Sequence, residues 1–292
     1  MTHHRIQDSI ILLIKLLVLI SATKNIIYWK YPLINSGELF HYPLIPWLAE
    51  LPQYFYIALS LASFCLSLLI FFSKSTRVFA WVLIFCGLTN LTFQFADYLG
   101  LHHDMYLSGL SFIAIGLYFL NPNKSNYGVI LAIAASTYLL SGIYKLNPDF
   151  INGSMTVDII GRSSRYFYGE AFSYFAELAV WLSIFAILVE IIEPFFLVFG
   201  NLRVKKLSIL ATLPFHIGIL ATGTGTVYNL TYPALFWFLV YFHAGKEKPA
   251  NTGIDFFHFS AIQLTMVVSL IYLIFLGSMI PNLVAAIGRR LI

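Results

Sequence analysis

The chain is organised around residues 138–155, which read Tyr138-Leu-Leu-Ser-Gly-Ile-Tyr-Lys-Leu-Asn-Pro-Asp-Phe-Ile-Asn-Gly-Ser-Met155. The stretch begins in an apolar helix, where Thr137, Ser141 and Lys145 are four residues apart and therefore share one face. The residue before a proline is pushed out of the helical conformation, so we expect this helix to end near Asn147. The pattern predicts a lysine at the end of a membrane helix, followed by an irregular loop.

Two interpretations of Lys145 remain open at this point. A lysine near a helix end can snorkel, lifting its ammonium group into the lipid headgroups. Alternatively, Lys145 faces the interior of a helix bundle, where burial disfavours the charged form of an amine and leaves a neutral base. The hydroxyls of Thr137 and Ser141 on the same face favour the interior, because positions facing lipid do not need them.

The composition places the chain in a membrane. Of its 292 residues, 59% are hydrophobic and only 10% charged, with a mean hydropathy of +0.82. Apolar runs of about 20 residues recur, which is the length of a helix that crosses a bilayer. We predict one domain over residues 1–292, an all-α polytopic transmembrane helical bundle of eight to nine spans with little soluble mass. The predicted spans are about 9–28, 53–72, 78–98, 106–120, 127–147, 174–199, 207–224, 226–243 and 261–280.

Other function classes find no support in the residues. The basic residues are scattered and form no stripe, so no nucleic-acid partner is predicted. Cys65 and Cys86 fall inside predicted spans and match no metal or redox spacing. The adjacent pair His102-His103 does not share a helix face and has no ligand partners at suitable spacing, so no metal is predicted.

The distribution of lysine and arginine predicts a cytoplasmic N-terminus, because cytoplasmic loops carry the excess of these residues. In that orientation the inner segments hold Arg5, Lys74, Arg77, Lys124, Arg203, Lys205, Lys206, Lys246 and Lys248. The outer segments and the C-terminal tail hold Lys30, Arg162, Arg165, Arg289 and Arg290. Lys145 then lies at the outer face.

Polar residues from several other spans lie at the same predicted depth as Lys145. Ionisable groups within a membrane usually face the interior and mark function, so we predict one pocket that opens to the outside. Its further members are Asp97, His102, His103, Glu177 and Asn229.

Several candidate residues also have a structural interpretation that involves no function. Glu177 is either a partner of Lys145 or an interfacial acid, and His216 in mid-span is either a core histidine or a site residue. Near the inner end of the sixth span, Glu190 and Glu193 are predicted to pair with basic residues across a short turn, at Arg203, Lys205 or Lys206. Gly153 is expected to adopt a positive φ in the loop after Lys145.

Residues 142–155 resemble a known motif. They are similar to the Gly-x-x-Lys-Leu-x-x-Asp-Trp-x-x-Gly-x-Ser-Met region of vitamin K-dependent gamma-glutamyl carboxylases and of their bacterial relatives, the horizontally transferred transmembrane (HTTM) proteins. The resemblance implies that Lys145 is the base that deprotonates a vitamin K-type lipid quinol, with O2 and CO2 as further reactants. Ser141, Tyr144, Asp149 and Gly153 belong to the same motif region and are candidates for the substrate or quinol pocket.

The resemblance extends more weakly to two other segments. His103-Asp-Met-Tyr-Leu-Ser-Gly-Leu110 is similar to the Asn-His-x-Tyr-Leu-x-Gly-Leu stretch of the carboxylases, with His103 at the position of the asparagine. Phe215-His216 resembles their Phe-His stretch. The carboxylases also carry a large luminal domain that binds the substrate, so a separate substrate-binding protein is expected as a partner.

Two classes of function follow. The first is a carboxylase-like enzyme, of the lyase class, that modifies a secreted peptide at the outer face of a bacterial plasma membrane. The second is a non-enzymatic maturation or immunity factor for a secreted peptide toxin, as known among small HTTM relatives of the sporulation-delaying type, or a transporter-like membrane protein. Lys145 within its motif favours the first class, and the lack of a substrate-binding domain in these residues favours the second.

Overall fold

The computed structural model describes residues 3–35, 45–96, 103–163, 176–221 and 231–243. Within these ranges the protein is all-helical, as predicted. The helices are α1 (His3–Asn35), α2 (Pro46–Ala49), α3 (Gln53–Phe72), α4 (Thr76–Ala96), α5 (His103–Leu120), α6 (Lys124–Tyr144), α7 (Pro148–Ile151), α8 (Ser154–Ser163), α9 (Ala179–Phe199), α10 (Leu202–Ala221) and α11 (Thr231–His243).

Five of these helices are long and apolar enough to cross a membrane, which confirms the prediction of a helical membrane protein. The candidate spans are Gln7–Ile26, Gln53–Phe72, Thr76–Ala96, Lys124–Tyr144 and Ala176–Phe199, and shorter apolar helices cover Tyr106–Leu120 and Thr231–Phe242. Each of the first eight predicted spans overlaps a described helix, and the span 53–72 coincides with α3. The predicted span 261–280 lies outside the described residues.

The helices α4 and α5 pack at very short range through glycine. A Cβ atom built on Gly87 would lie 2.6 Å from the carbonyl oxygen of Gly109, and one on Gly109 would lie 3.0 Å from that of Gly87. Without side chains at these positions, the two backbones approach closely, which is how helices commonly associate in membranes. This pair supports α6, which packs against α5 on one side and α9 on another.

A network of buried polar side chains ties α1 to α4 and α5. The amide oxygen of Asn90 accepts from Asn25 at 3.0 Å and from Ser21 at 3.1 Å, and its amide nitrogen contacts the Ser108 hydroxyl at 3.3 Å. All four side chains are at most 1% exposed. Hydrogen bonds of this kind fix how helices are aligned in lipid, because each polar group needs a partner.

The end of α6 lies beside the middle of α9. A Cβ on Gly142 would lie 2.7 Å from the Ile191 side chain and 3.2 Å from the Glu190 carbonyl carbon, so glycine allows this contact. Glu190 is eleven residues after Ala179, or about 16 Å along the helix at 1.5 Å per residue. The last turn of α6 is thus level with the centre of α9.

The segment after α6 covers the first half of α9. Gly153 has φ +81°, as expected for a glycine in this loop, and a Cβ there would lie 2.8 Å from the backbone nitrogen of Val180. Further along, the Thr156 hydroxyl in α8 lies 2.6 Å from the Ser183 hydroxyl in α9. The loop therefore carries the chain from the centre of α9 to its start.

Candidate functional site

The sequence at the end of α6 places Lys145 at a sharp change of direction. The backbone of Lys145 is still helical, with φ −77° and ψ −5°, whereas Asn147 is extended, with φ −91° and ψ 153°. The Asn147 side chain then accepts a hydrogen bond from the backbone nitrogen of Phe150 at 2.9 Å and so caps α7, which begins at Pro148. The predicted end of the helix near Asn147 is confirmed.

Lys145 forms an ion pair with Glu190. Its Nζ donates to both carboxylate oxygens of Glu190 and, at 3.0 Å, to the Ser141 hydroxyl one turn earlier in α6. The ring of Phe150 lies 5.6 Å from the same Nζ, within the range of a cation–π contact. The lysine side chain is 21% exposed and the glutamate side chain 8% exposed, so most of the pair is enclosed by protein.

This geometry favours the interior interpretation of Lys145. The ammonium group is held against a carboxylate at the centre of a candidate membrane helix and is not raised toward the end of that helix. An ammonium group next to a carboxylate can pass one proton to it, giving a neutral amine and a carboxylic acid. The pair can therefore accept, hold and release a proton within the bundle.

A second buried pair joins Tyr138 to His216. The Tyr138 hydroxyl is hydrogen-bonded to Nε2 of His216, whose ring stacks on Tyr232 at 5.2 Å between centroids and 11° between planes. Phe236 contacts the Tyr138 ring at 4.9 Å. Tyr138 and His216 are 3% and 4% exposed, so α6, α10 and α11 enclose this pair completely.

Glu193 is the fifth ionisable group in the cluster. One of its carboxylate oxygens accepts a hydrogen bond from the Thr212 hydroxyl at 3.0 Å, and the residue is 3% exposed. Glu193 lies three residues after Glu190 on α9, and Thr212 lies four residues before His216 on α10, so the helices connect the two pairs. We call Lys145, Glu190, Tyr138, His216 and Glu193 the central cluster.

The structure brings together three of the residues predicted for the pocket. Lys145 contacts Ser141 directly, and His216 is hydrogen-bonded to Tyr138, which lies two turns before Lys145 on α6. Tyr144 and Asp149 are exposed neighbours of this cluster, with Tyr144 69% exposed.

The remaining predicted residues are not placed at the cluster. Glu177 is exposed in a short turn before α9, and Lys145 pairs with Glu190 instead. His103 begins α5, but its side chain is outside what the structure describes, as are Asp97, His102 and Asn229 altogether. Glu190 pairs with Lys145, and Glu193 accepts a hydrogen bond from Thr212.

Glu190 and Glu193 are the functional candidates that the sequence analysis treated as structural. Both lie in the apolar run 179–199, and ionisable residues inside such runs usually mark function. The sequence carries that signal, but the predicted orientation puts both residues at the inner end of their span, away from Lys145. Tyr138 carries no such signal, since it is one of three tyrosines in α6 and its sequence context does not distinguish it.

Within the described ranges, no group of three metal-binding side chains comes together. Comparisons with protein-family models, with curated proteins and with solved structures each found no match. The function is therefore inferred from the chemistry of the central cluster.

Proposed function

We propose that this protein is an integral membrane enzyme that uses Lys145 as a base in the modification of a secreted peptide. The main observation behind this proposal is the Lys145–Glu190 ion pair, which is enclosed at the centre of the contact between α6 and α9. An enclosed amine and carboxylate can move protons without competition from bulk water. The proposed reaction is of the carboxylase type, with a lipid quinol as the source of the proton that Lys145 accepts.

The residues around Lys145 suit a hydroxylated, lipid-soluble cofactor. The segment that holds Lys145 also carries exposed apolar residues, namely Ile143, Tyr144, Leu146 and Ile151. A quinol could reach the amine from the bilayer along this surface, with its hydroxyl at Nζ and its ring near Phe150. When bound, the quinol would supply reducing equivalents for reaction with O2; Lys145 and Glu190 would hold its hydroxyl proton.

The proposed setting is a bacterial plasma membrane crossed by eight or nine helices, with a cytoplasmic N-terminus. The secreted peptide would then reach the central cluster from the outer face, with a separate protein to bind it. Cysteines placed at Lys124 and Lys205 test this orientation, because both should be labelled from the cytoplasmic side only. Labelling of either from outside intact cells would refute it.

A second candidate function is proton-coupled transport. Chains of carboxylates and histidines inside membrane bundles serve as proton relays in transporters. The observation that favours transport is the number of ionisable groups in the central cluster. They lie on three helices, α6, α9 and α10, and a single catalytic base does not require so many. In this case Lys145 and Glu190 would bind the proton that drives movement of a peptide, and the peptide would leave the cell unmodified.

Mass spectrometry of secreted peptides tests both candidates. It compares cells that carry the native protein, Lys145→Arg, or a gene deletion. Arginine keeps a cation opposite Glu190 and so preserves the pair, but its guanidinium does not release a proton in proteins. We expect a peptide whose glutamate carries the added mass of CO2, present only with the native protein.

The other outcomes are equally informative. A peptide that is modified at the native level with Lys145→Arg would exclude Lys145 as the base. If cells with the native protein secrete an unmodified peptide and cells with the deletion secrete none, the result would favour transport or non-enzymatic maturation. A matched control is Glu50→Gln, which changes an exposed glutamate that belongs to neither the pair nor the predicted pocket and should leave the peptide profile unchanged.

A further inference from the structure

The buried tyrosines of the described ranges differ in the group that is hydrogen-bonded to their hydroxyl. Four tyrosine side chains there are at most 5% exposed. Three of them donate to a backbone carbonyl oxygen, and these are Tyr56, Tyr118 and Tyr127. The hydroxyl of the fourth, Tyr138, is hydrogen-bonded to Nε2 of His216. A carbonyl oxygen is too weak a base to take the proton of a phenol, whereas a neutral imidazole nitrogen can take it.

The direction of the Tyr138–His216 hydrogen bond follows from counting the groups that it leaves without partners. Nδ1 of His216 is buried and has no hydrogen-bond partner among the described residues. If Nε2 carried the ring proton and donated it, both the hydroxyl proton of Tyr138 and the lone pair on Nδ1 would be unsatisfied. If the hydroxyl donates to Nε2, only the N–H at Nδ1 is unsatisfied. Because each unsatisfied buried group costs free energy, we assign the hydroxyl as the donor and Nε2 as the acceptor.

Aromatic rings separate this pair from solvent. The His216 ring stacks on Tyr232, and its centroid lies 5.2 Å from that of Phe215. The Tyr138 ring contacts Phe236 at 4.9 Å between centroids. Tyr138 and His216 are 3% and 4% exposed, so small molecules in bulk solvent that would quench a radical on Tyr138 do not reach it.

We propose that Tyr138 and His216 form a redox-active pair, in which Tyr138 loses one electron while its hydroxyl proton moves to Nε2 of His216. The oxidant is an oxygen-centred radical, the class of oxidant that forms when O2 takes up a single electron. The electron passes to this radical, which becomes the corresponding oxyanion, and the O–H bond of Tyr138 breaks. The other products are a neutral tyrosyl radical and an imidazolium, so atoms, electrons and charge balance.

The position of Tyr138 on α6 relates the pair to Lys145. Tyr138 precedes Lys145 by seven residues, which is two turns or about 10 Å along the helix. Electrons cross such distances in proteins without direct contact between donor and acceptor. The role of the pair in turnover rests on the proposed function, in which O2 reacts near Lys145 and Tyr138 intercepts the radicals that escape. The redox chemistry of the pair itself does not depend on that reaction.

Electron paramagnetic resonance of the full-length protein in lipid nanodiscs tests the pair. A ruthenium tris-bipyridine complex with persulfate oxidises the protein under light, and freezing traps the radicals that persist. We expect a neutral tyrosyl radical that is lost in Tyr138→Phe. Tyr118→Phe is the matched control and should keep the signal, because the Tyr118 hydroxyl donates to the Phe242 carbonyl oxygen at 3.3 Å. In the native protein with ¹⁵N-labelled histidine, pulsed measurements should detect an imidazole nitrogen next to the radical.

Removal of the proton acceptor should slow the oxidation. In His216→Gln, the glutamine oxygen can accept the hydrogen bond but does not take the proton. The persistent radical should therefore form about 100-fold more slowly, which is a usual contribution of a positioned proton acceptor. Circular dichroism shows whether each variant keeps its helices. A native radical that survives Tyr138→Phe, or a native tyrosyl radical without a histidine nitrogen beside it, would overturn the proposal.

Two outcomes separate this inference from the proposed function. If the secreted peptide is fully modified in Lys145→Arg while light still produces the Tyr138 radical, the proposed function fails and the redox pair stands. If peptide modification depends on Lys145 but light produces no radical on Tyr138, the redox pair fails and the proposed function stands.

Discussion

The Lys145–Glu190 pair makes a quantitative prediction about stability. Removing one partner of a buried ion pair leaves the other charge without compensation, whereas removing both leaves no charge to compensate. The single variant Lys145→Met should therefore be less stable than the double variant with Glu190→Gln, in which the remaining carboxylate is also removed. The structure allows the size of each effect to be worked out from the exposure of the partner that remains.

In Lys145→Met, the remaining carboxylate belongs to a side chain that is 8% exposed, so we expect a loss of about 3 kcal/mol in the free energy of unfolding. In Glu190→Gln, the lysine keeps its hydrogen bond to Ser141 and is 21% exposed, so we expect a smaller loss of about 1 to 2 kcal/mol. The double variant should lose about 1 to 2 kcal/mol in total. Because the double variant then loses about as much as Glu190→Gln alone, the coupling energy is about 3 kcal/mol, at the upper end for residues in contact.

The assay is reversible unfolding of the purified protein in mixed detergent micelles, with the helix content monitored by circular dichroism. Glu177→Gln serves as the control and should change stability by less than about 0.5 kcal/mol. If the losses of the single variants add in the double variant to within about 0.5 kcal/mol, the two groups do not interact and the site as described is refuted.

Three further outcomes test the packing around the site. Gly142→Ala should destabilise the fold by about 1 to 3 kcal/mol, measured in the same unfolding assay, because its Cβ would lie 2.7 Å from Ile191. Gly153→Ala should destabilise by a comparable amount, because φ is +81° and the added Cβ meets the α9 backbone; Gly161→Ala, with nothing within 4 Å of its Cβ, should not. In intact membranes, a lipid-soluble maleimide should label the exposed Cys65 and leave the buried Cys86 unmodified until denaturation, as read by mass spectrometry.

The helices could be predicted from the sequence because each depends on a local property. Span 53–72 was predicted as the structure has it, since an apolar run bounded by Pro52 and by the polar residues after Phe72 specifies its own ends. The end of α6 was also predictable, because Pro148 disfavours helix at the residue before it. Neither inference needed to know what packs against the helix.

The partner of Lys145 could not be predicted because it depends on the offset between two helices. The sequence-based depth of each residue assumes that every span crosses the membrane from one edge to the other. On that assumption Glu177 lies at the same depth as Lys145, and Glu190 lies far from it. In the structure α6 ends beside the centre of α9, where Gly142 allows the backbones to approach. The offset of α6 along α9 depends on the contact between the two helices, and the hydrophobic pattern of either sequence alone does not indicate it.

The polar network around Asn90 has a consequence for how the protein is made. Asn25 is separated from Asn90 by 65 residues, and Asn90 from Ser108 by 18, so α1 is synthesised long before its partners. During that interval the Ser21 and Asn25 side chains of α1 have no Asn90 to bind, and exposing them to hydrocarbon is costly. Biogenesis of this protein therefore favours an insertion pathway that shelters α1 beside the translocon until α4 and α5 have entered the bilayer.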